Sequence, residues 1–418
     1  MADLDRILRF AVGENASDIH LKVDSPPVLR RYGTLAPEPS LPVLSAEDLR
    51  SIVSQMADPA QMERLDRQRQ LDLGYGTPDL GRFRVNVYHQ RGELRIAFRW
   101  IPTRIRSLAE LGMPESVANV ATGSRGLILV TGTTGSGKST TLAAMIDLLN
   151  KTEADHIITI EDPIEYVHVD QKSMVSQREV GVDVASFADG LRGALRQDPG
   201  TILIGEMRDL ETIEAAILSA ETGHLVMSTL HTLDAPETVT RIIQAFPDHQ
   251  RDQIRIVLSS VLKGIVSQRL VPRADGKGMV PAVEVLVSTA LVRSIIKDPK
   301  RSPAELTDAL AKGHVTYGTQ TFDQSLMHLL KTDLITYDEA MRQATNPDDF
   351  ALMVRGISST SDARWNEFDR AQPGEGGIES GAESGGEAAA PAAPPAGRRP
   401  PSPAPASARV PPGNVRRF

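Results

Sequence analysis

Cysteine is absent from the 418 residues. Disulfides and cysteine-ligated zinc are therefore excluded, and the chain fits a reducing compartment. No stretch approaches 18 uninterrupted apolar residues, so neither a membrane span nor direct membrane insertion is expected. The N-terminus, MADLDRILRF, has two acids, two arginines and no apolar h-region, and does not read as a signal peptide. An excess of basic residues is missing too. The 46 Lys and Arg against 54 Asp and Glu leave a net charge of −8, which speaks against wholesale nucleic-acid binding. What remains is 40% hydrophobic and 24% charged, an ordinary soluble composition with length for two or three domains.

One stretch organises the rest: Gly132-Thr133-Thr134-Gly135-Ser136-Gly137-Lys138-Ser139. It follows the apolar run Leu127-Ile128-Leu129-Val130 and precedes Thr140-Thr141-Leu142-Ala143-Ala144-Met145-Ile146, which reads as a helix. Strand, glycine-rich turn and helix make a GxxxxGKS string a phosphate-binding loop. The glycines let the backbone curl so that several N–H groups face one anion. The helix N-terminus adds positive partial charge. Lys138 is placed to reach β- and γ-phosphates, and the Ser139 hydroxyl to ligate Mg²⁺, so ATP and Mg²⁺ are the expected ligands.

Before the loop, residues 1–100 read as a small α+β domain. Leu4 to Val12 has helical spacing, and 18–23 alternates like a strand. A second strand covers 28–34, and a polar helix runs from about Ala46 to Arg69. Three strands follow at 70–75, 81–89 and 93–100, the last two joined by Gln90-Arg91-Gly92. Those two carry Arg82, Arg84, Arg91, Arg95 and Arg99. They are either a solvated sheet face or a set that reaches a phosphate in a neighbouring subunit. Residues 101–111 form a linker. From 112 to 287 strands and helices alternate, with strands expected at 127–131, 157–161, 201–205, 224–229 and 280–286, which signals a mostly parallel sheet. Residues 288–358 read as helical, with a loop at 316–321. From 359 the composition drifts into an Ala/Pro/Gly-rich tail, and 33 of the last 48 residues are Ala, Gly, Pro or Ser. The tail is expected to be disordered, either as a solubility element or as a docking segment.

Two acid clusters follow strands. Glu161-Asp162-Pro163-Ile164-Glu165 closes one, and Glu165 is the candidate to orient or deprotonate water. The apolar run 201–204 ends in Gly205-Glu206, a Walker B pattern for the metal side without the usual Asp-Glu pair. Glu206 is thus expected to act there largely alone. Helix capping is the plainer use of such acids. His224 and His231 lie at strand ends. Each is either a sensor of the γ-phosphate or a capping or core histidine.

These stretches together resemble the type II/IV secretion ATPase superfamily, specifically the PilT/PilU-like type IV pilus retraction ATPases. The resemblance covers about residues 1–350. It rests on ASDIHL (16–21), GRFRVN (81–86), TGTTGSGKST (131–140), TIEDPIEYVH (159–168), SQREVGVD (176–183), LRQDPGTILIGEMRD (195–209), TGHLVMSTLHT (222–232), VSQRLV (266–271) and TQTFDQSL (319–326). It implies an α/β chain with a PAS-like N-terminal domain, a RecA-like P-loop ATPase domain and a helical C-terminal region. It also implies a cytoplasmic homo-hexamer at the inner-membrane face, acting on a pilus platform protein alongside a second retraction ATPase. Glu165, Glu206 and His231 fall in its acidic, Walker B and histidine motifs. Arg84 and Arg99 match arginines that approach nucleotide. Three positions depart from the pattern: Gly200 in place of Asp, Thr133 in place of Pro, and LVRSIIKD (291–298) in place of a stronger C-terminal element. The last, with TQTFDQSL, leans toward the accessory PilU-like branch. The tail has no counterpart.

Three functions compete under this resemblance. The first is a mechanochemical ATPase for pilus retraction and twitching motility. The second is an extension, secretion or DNA-transfer motor, disfavoured by the short N-terminus and missing cysteines. The third is a nucleotide-gated adaptor with little hydrolysis, disfavoured by the presence of both Glu165 and Glu206.

Overall fold

In a computed structural model the described residues are 3–31, 34–77, 79–101 and 104–356. The tail expected from 359 onward lies outside them.

The chain begins with α1 (Leu4–Gly13), capped by the Asp3 carboxylate, which accepts from the Arg6 amide. Strands β1 (Asp18–Lys22), β2 (Val28–Arg31) and β3 (Thr34–Pro37) follow. The third of these was not expected. The helix expected over 46–69 is two helices, α2 (Ala46–Met56) and α3 (Pro59–Gln68). Asp58 starts the second with a capping box to Gln61, and Pro59 occupies the first turn, where its missing N–H costs nothing. Strands β4 (Gln70–Thr77), β5 (Gly81–Gln90) and β6 (Glu93–Ile101) complete an antiparallel sheet in the order β3-β2-β1-β6-β5-β4. The β5–β6 turn places Arg91 and Gly92 at φ 56° and 87°, the left-handed pair that a two-residue hairpin requires. One sheet face packs on the helices through Leu8, Ile19, Ile52, Phe83 and Phe98.

A second sheet follows the short α4 (Glu115–Ala121). Its elements are β7 (Gly126–Thr131), α5 (Lys138–Thr152), β8 (His156–Glu161), β9 (Met174–Glu179), α6 (Phe187–Ala194), β10 (Thr201–Ile204), α7 (Leu210–Glu221), β11 (Leu225–Leu230), α8 (Ala235–Ala245), α9 (Arg251–Val261), β12 (Leu262–Pro272) and β13 (Met279–Val287). The strand order is β13-β12-β7-β11-β10-β8-β9. All neighbours are parallel except the β12–β13 pair. Every residue of β7, β10 and β11 is buried, as strands covered by helices on both faces must be. Burying each large side chain there contributes about 1.5–3 kcal/mol. Because these strands are parallel, their carboxyl ends meet at one edge of the sheet, where ligands bind in such folds. Two strands, β9 and β12, were not expected. The second follows α9 with no residue between helix and strand.

The remaining helices are α10 (Ala290–Lys297), α11 (Ala304–Lys312), α12 (His314–Tyr317), α13 (Phe322–Lys331), α14 (Tyr337–Gln343) and α15 (Pro347–Val354). The loop expected at 316–321 is partly helical, since α12 runs to Tyr317 before Gly318 turns left-handed. The α/β class holds as expected.

Candidate functional site

The turn between β7 and α5 is shaped by two close approaches. A Cβ on Gly132 would stand 2.4 Å from the Gln268 carbonyl oxygen, and φ there is +139°. Gly137 precedes α5 at φ +92°, and a Cβ there would lie 2.9 Å from the Gln268 amide nitrogen. Only glycine fits either position. Thr133, Thr134 and Gly135 face solvent, so the concave side of the loop is open.

Lys138 opens α5 and folds back over the loop. Its Nζ donates to the Gly132 and Thr133 carbonyls at 2.8 and 2.9 Å. Burial pulls the pKa of this ammonium down, and the nearby charges of Glu206 and Glu165 oppose that. Ser139 is exposed on the first turn of α5. Thr140 pairs with the Tyr166 hydroxyl at 2.9 Å, which ties the loop helix to the acidic segment after β8. The Ser136 Oγ is buried in the cradle without a hydrogen-bond partner.

Gln268 on β12 clamps the loop from below. It donates to the Ser136 carbonyl at 2.5 Å and accepts from the Thr141 hydroxyl at 2.9 Å. Nothing in its local sequence marks it. The VSQRLV stretch stood out only as part of the resemblance.

Glu161, at the end of β8, is desolvated, and burial raises its pKa. The Thr159 hydroxyl and the Gln177 amide donate to it and pull the other way. Glu165, four residues on, is a third exposed, and Arg84 of the same chain stands 3.8 Å from it. Arg84 is one of the arginines read either as part of a solvated sheet face or as reaching a neighbouring subunit's phosphate; within its own chain it lies beside the acidic segment. Arg82, two residues earlier on β5, pairs closely with Glu179 of β9, whose carboxylate also accepts from the Ile164 amide at 3.1 Å. Arg99 is directly opposite Arg84 in the β5–β6 register, but its Nε donates to Asp18 at 2.9 Å. Like charges directly opposite on a sheet are unfavourable, so this arginine face is held by acids on both sides.

Glu206 follows β10. Its mostly buried carboxylate pairs with Arg208 Nε at 2.7 Å and stands 3.5 Å from His231 Nε2. It was expected to act on the metal side largely alone, and the two groups that stand beside it here are basic residues, not a second acid. His231 sits at the carboxyl end of β11, half exposed. His224 sits at the other end of that strand, where its Nδ1 meets the Ser219 carbonyl at 3.0 Å and the Thr222 hydroxyl at 3.3 Å. It closes α7 away from the loop, which is the capping role.

Gly200 also has a physical account. A side chain there would collide with the Asp155 carboxylate, because a Cβ would stand only 2.1 Å from its nearer oxygen. That carboxylate accepts from the His156 amide at 2.7 Å and the Thr201 hydroxyl at 3.0 Å. The acid that the motif carries at 200 is thus replaced in space by one from 155.

Phosphate loop, Glu161–Glu165, Glu206 and His231 therefore share one edge of the sheet. The orphan Ser136 hydroxyl, the lysine spanning two carbonyls, the exposed Ser139 hydroxyl and a nearby carboxylate suit a phosphate chain with a divalent cation. A separate cleft of about 670 Å³, lined by Arg125, Lys263, Ser288 and Arg293 among others, opens where β7 begins, at the opposite edge. Among the described residues no helix is long and apolar enough to cross a membrane.

The family model described as type II/IV secretion system protein matches residues 1–285. The type IV pilus retraction ATPase PilT of Pseudomonas aeruginosa is 41% identical over 348 residues, covering 83% of this chain and all of that protein. The type IV pilus ATPase PilU of the same organism is 40% identical, covering 86% of this chain and 93% of that protein. Among solved structures, the pilus retraction motor PilT with bound ADP superposes with a TM-score of 0.77 at 44% identity, covering 84% of this chain and 99% of that one.

Proposed function

The chain belongs to the type II/IV secretion system protein family, and on that premise we propose that it is an ATP-hydrolysing motor of the pilus-retraction branch. One observation carries this reading. The phosphate loop with Lys138, the acidic pair Glu165 and Glu206, and His231 converge at one sheet edge, in a chain that matches retraction ATPases over nearly its whole described length.

Each residue has a definite task. The loop amides and the start of α5 bind the phosphates. The Lys138 ammonium exchanges its two loop carbonyls for phosphate oxygens when nucleotide enters. Ser139 and Glu206 would hold Mg²⁺, which when bound neutralises charge on the β- and γ-phosphates. Glu165 orients the attacking water and takes its proton, and Arg84 steers that carboxylate. His231 donates to the γ-phosphate end of the site from a position already in contact with Glu206. Arg99 joins once Asp18 releases it. Residues 1–100, 112–287 and 288–358 act as arginine-bearing, ATPase and helical modules. The working form is a cytoplasmic homo-hexamer at the inner-membrane face, acting on a pilus platform protein with a second retraction ATPase and driving twitching motility.

Phosphate release by the purified full-length chain tests this. Lys138→Ala is expected to lower kcat at least about 100-fold, because positioning and charge stabilisation are most of this chemistry. Turnover at the wild-type rate in that variant would refute the assignment. Deletion of the gene is expected to leave excess surface pili without motility. Loss of pili would instead assign extension.

A further inference from the structure

We propose that Glu284 is a positioning residue for hydrolysis, joining the strand beneath the phosphate loop and the helix behind His231 through one buried carboxylate. The proposal rests on the ATPase reading above.

Glu284 lies on β13 and is only 4% exposed. It is the register partner of Ser267 on β12, and Ser267 is in turn the register partner of Thr131 on β7. A row of polar side chains follows that line. The Thr131 hydroxyl donates to Ser267 Oγ at 3.0 Å, and Ser267 stands beside the Glu284 carboxylate across the β12–β13 pair, where it favours the ionised form. Thr131 immediately precedes Gly132, whose carbonyl holds Lys138. Ser267 immediately precedes Gln268, the clamp beneath Ser136. On its other side the Glu284 carboxylate accepts from the Ala235 amide at 2.7 Å. Ala235 begins α8, four residues after His231, and the intervening Thr232 is pinned to Thr238 of that helix at 2.7 Å. The two parts that flank a γ-phosphate thus share one acceptor.

The charge state decides what that acceptor does. Among the described residues no lysine pairs with Glu284. The charged groups facing it are Asp234 at the start of α8 and Arg269 on β12, and Arg269 is also engaged by the Gln343 carbonyl and the Phe322 ring. Burial, with Asp234 adding to it, pushes the carboxyl up to about 7. Ionised, it accepts from the Ala235 amide on one side and is favoured by the Ser267 hydroxyl on the other. Protonated, it has a proton to donate. Either the Ser267 contact reverses or the Ala235 amide loses its acceptor. A glutamine fixes the reversed arrangement at every pH, because its amide must donate to Ser267 while its oxygen serves Ala235.

The test is steady-state hydrolysis by the full-length chain between pH 5.5 and 9. Wild type is expected to lose kcat on the acid side around pH 7. Glu284→Gln is expected to lose that limb and to run about tenfold slower at pH 8.5, with KM changed less than about threefold. Ser267→Ala breaks the same chain at a site that tolerates a small residue. It is expected to flatten the limb too, and the double variant should be no slower than the slower single. Wild-type kcat with an unchanged limb in Glu284→Gln overturns the proposal, as do effects that multiply in the double variant. In either of those cases turnover that still requires Lys138 leaves the ATPase reading standing. A wild-type chain without Lys138-dependent turnover takes both down.

Discussion

Replacing Glu284 by glutamine should make the protein relatively more stable as pH rises. The carboxyl ordinarily titrates near 4.5 and is held at about 7 in the fold. With the folded value above the unfolded one, the folded state binds the extra proton between the two. The contribution to stability is therefore fully present below 4.5 and is lost as pH rises through 7. The full gap of about 2.5 pH units corresponds to about 3 kcal/mol at 1.36 kcal/mol per unit. Between pH 5.5 and 8.5 linkage assigns about 2 kcal/mol of that loss to this group. Glutamine does not titrate. Its altered hydrogen bonds add an offset that is the same at both pH values, and all other groups cancel in the comparison. The assay is thermal melting of both proteins at pH 5.5 and 8.5. The Tm of the variant minus that of wild type should rise by about 3 °C across the range. A difference that stays within 1 °C would refute the reasoning, since the side chain would then titrate alike in folded and unfolded chains. If the ionised form is also the active form, the protein works in its less stable protonation state, a familiar opposition between activity and stability.

Three further outcomes follow from the geometry. Arg82→Ala should lower stability by about 3 kcal/mol, because it strips the close partner from a Glu179 carboxylate only 9% exposed. Arg84→Ala, which removes a longer and more exposed pair, should cost less than about 1 kcal/mol in the same melting experiment while slowing hydrolysis. Gln268→Ala should weaken nucleotide binding about tenfold in a fluorescent-nucleotide titration, since the loop loses its link to β12 at both Ser136 and Thr141.

What could be read from the sequence was local. The phosphate loop, the strand ends with their acids and the β5–β6 hairpin each announce themselves within a dozen residues. The strands that escaped notice lack such signals. In β12 the apolar residues run together instead of alternating, because both faces are covered: Ile265 packs into one core cluster and Val266 into another. In β9 four of the six residues are polar, as an edge strand allows. The merged helix over 46–69 hid a capping box whose Asp58 and Pro59 look unremarkable within a polar run. The site residues that were missed act across the sheet. Ser267, Gln268 and Glu284 touch partners more than a hundred or about fifty positions away, and only the register of paired strands reveals them. Arg84 was legible as a candidate, but its position beside Glu165 of its own chain was not.

The direct passage from α9 into β12 has a mechanical meaning. Loops between elements normally absorb movement, and here there is none: Val261 ends the helix and Leu262 begins the strand. From Leu262 to Ser267 is five residues of extended chain, roughly 17 Å at the rise of a strand. A push or twist on the helix passes directly into the strand that pairs with the base of the phosphate loop, and the register shift between Leu262 and Gly264 is where that strand can yield. Displacement of α9 and occupancy of the loop therefore share one continuous piece of backbone.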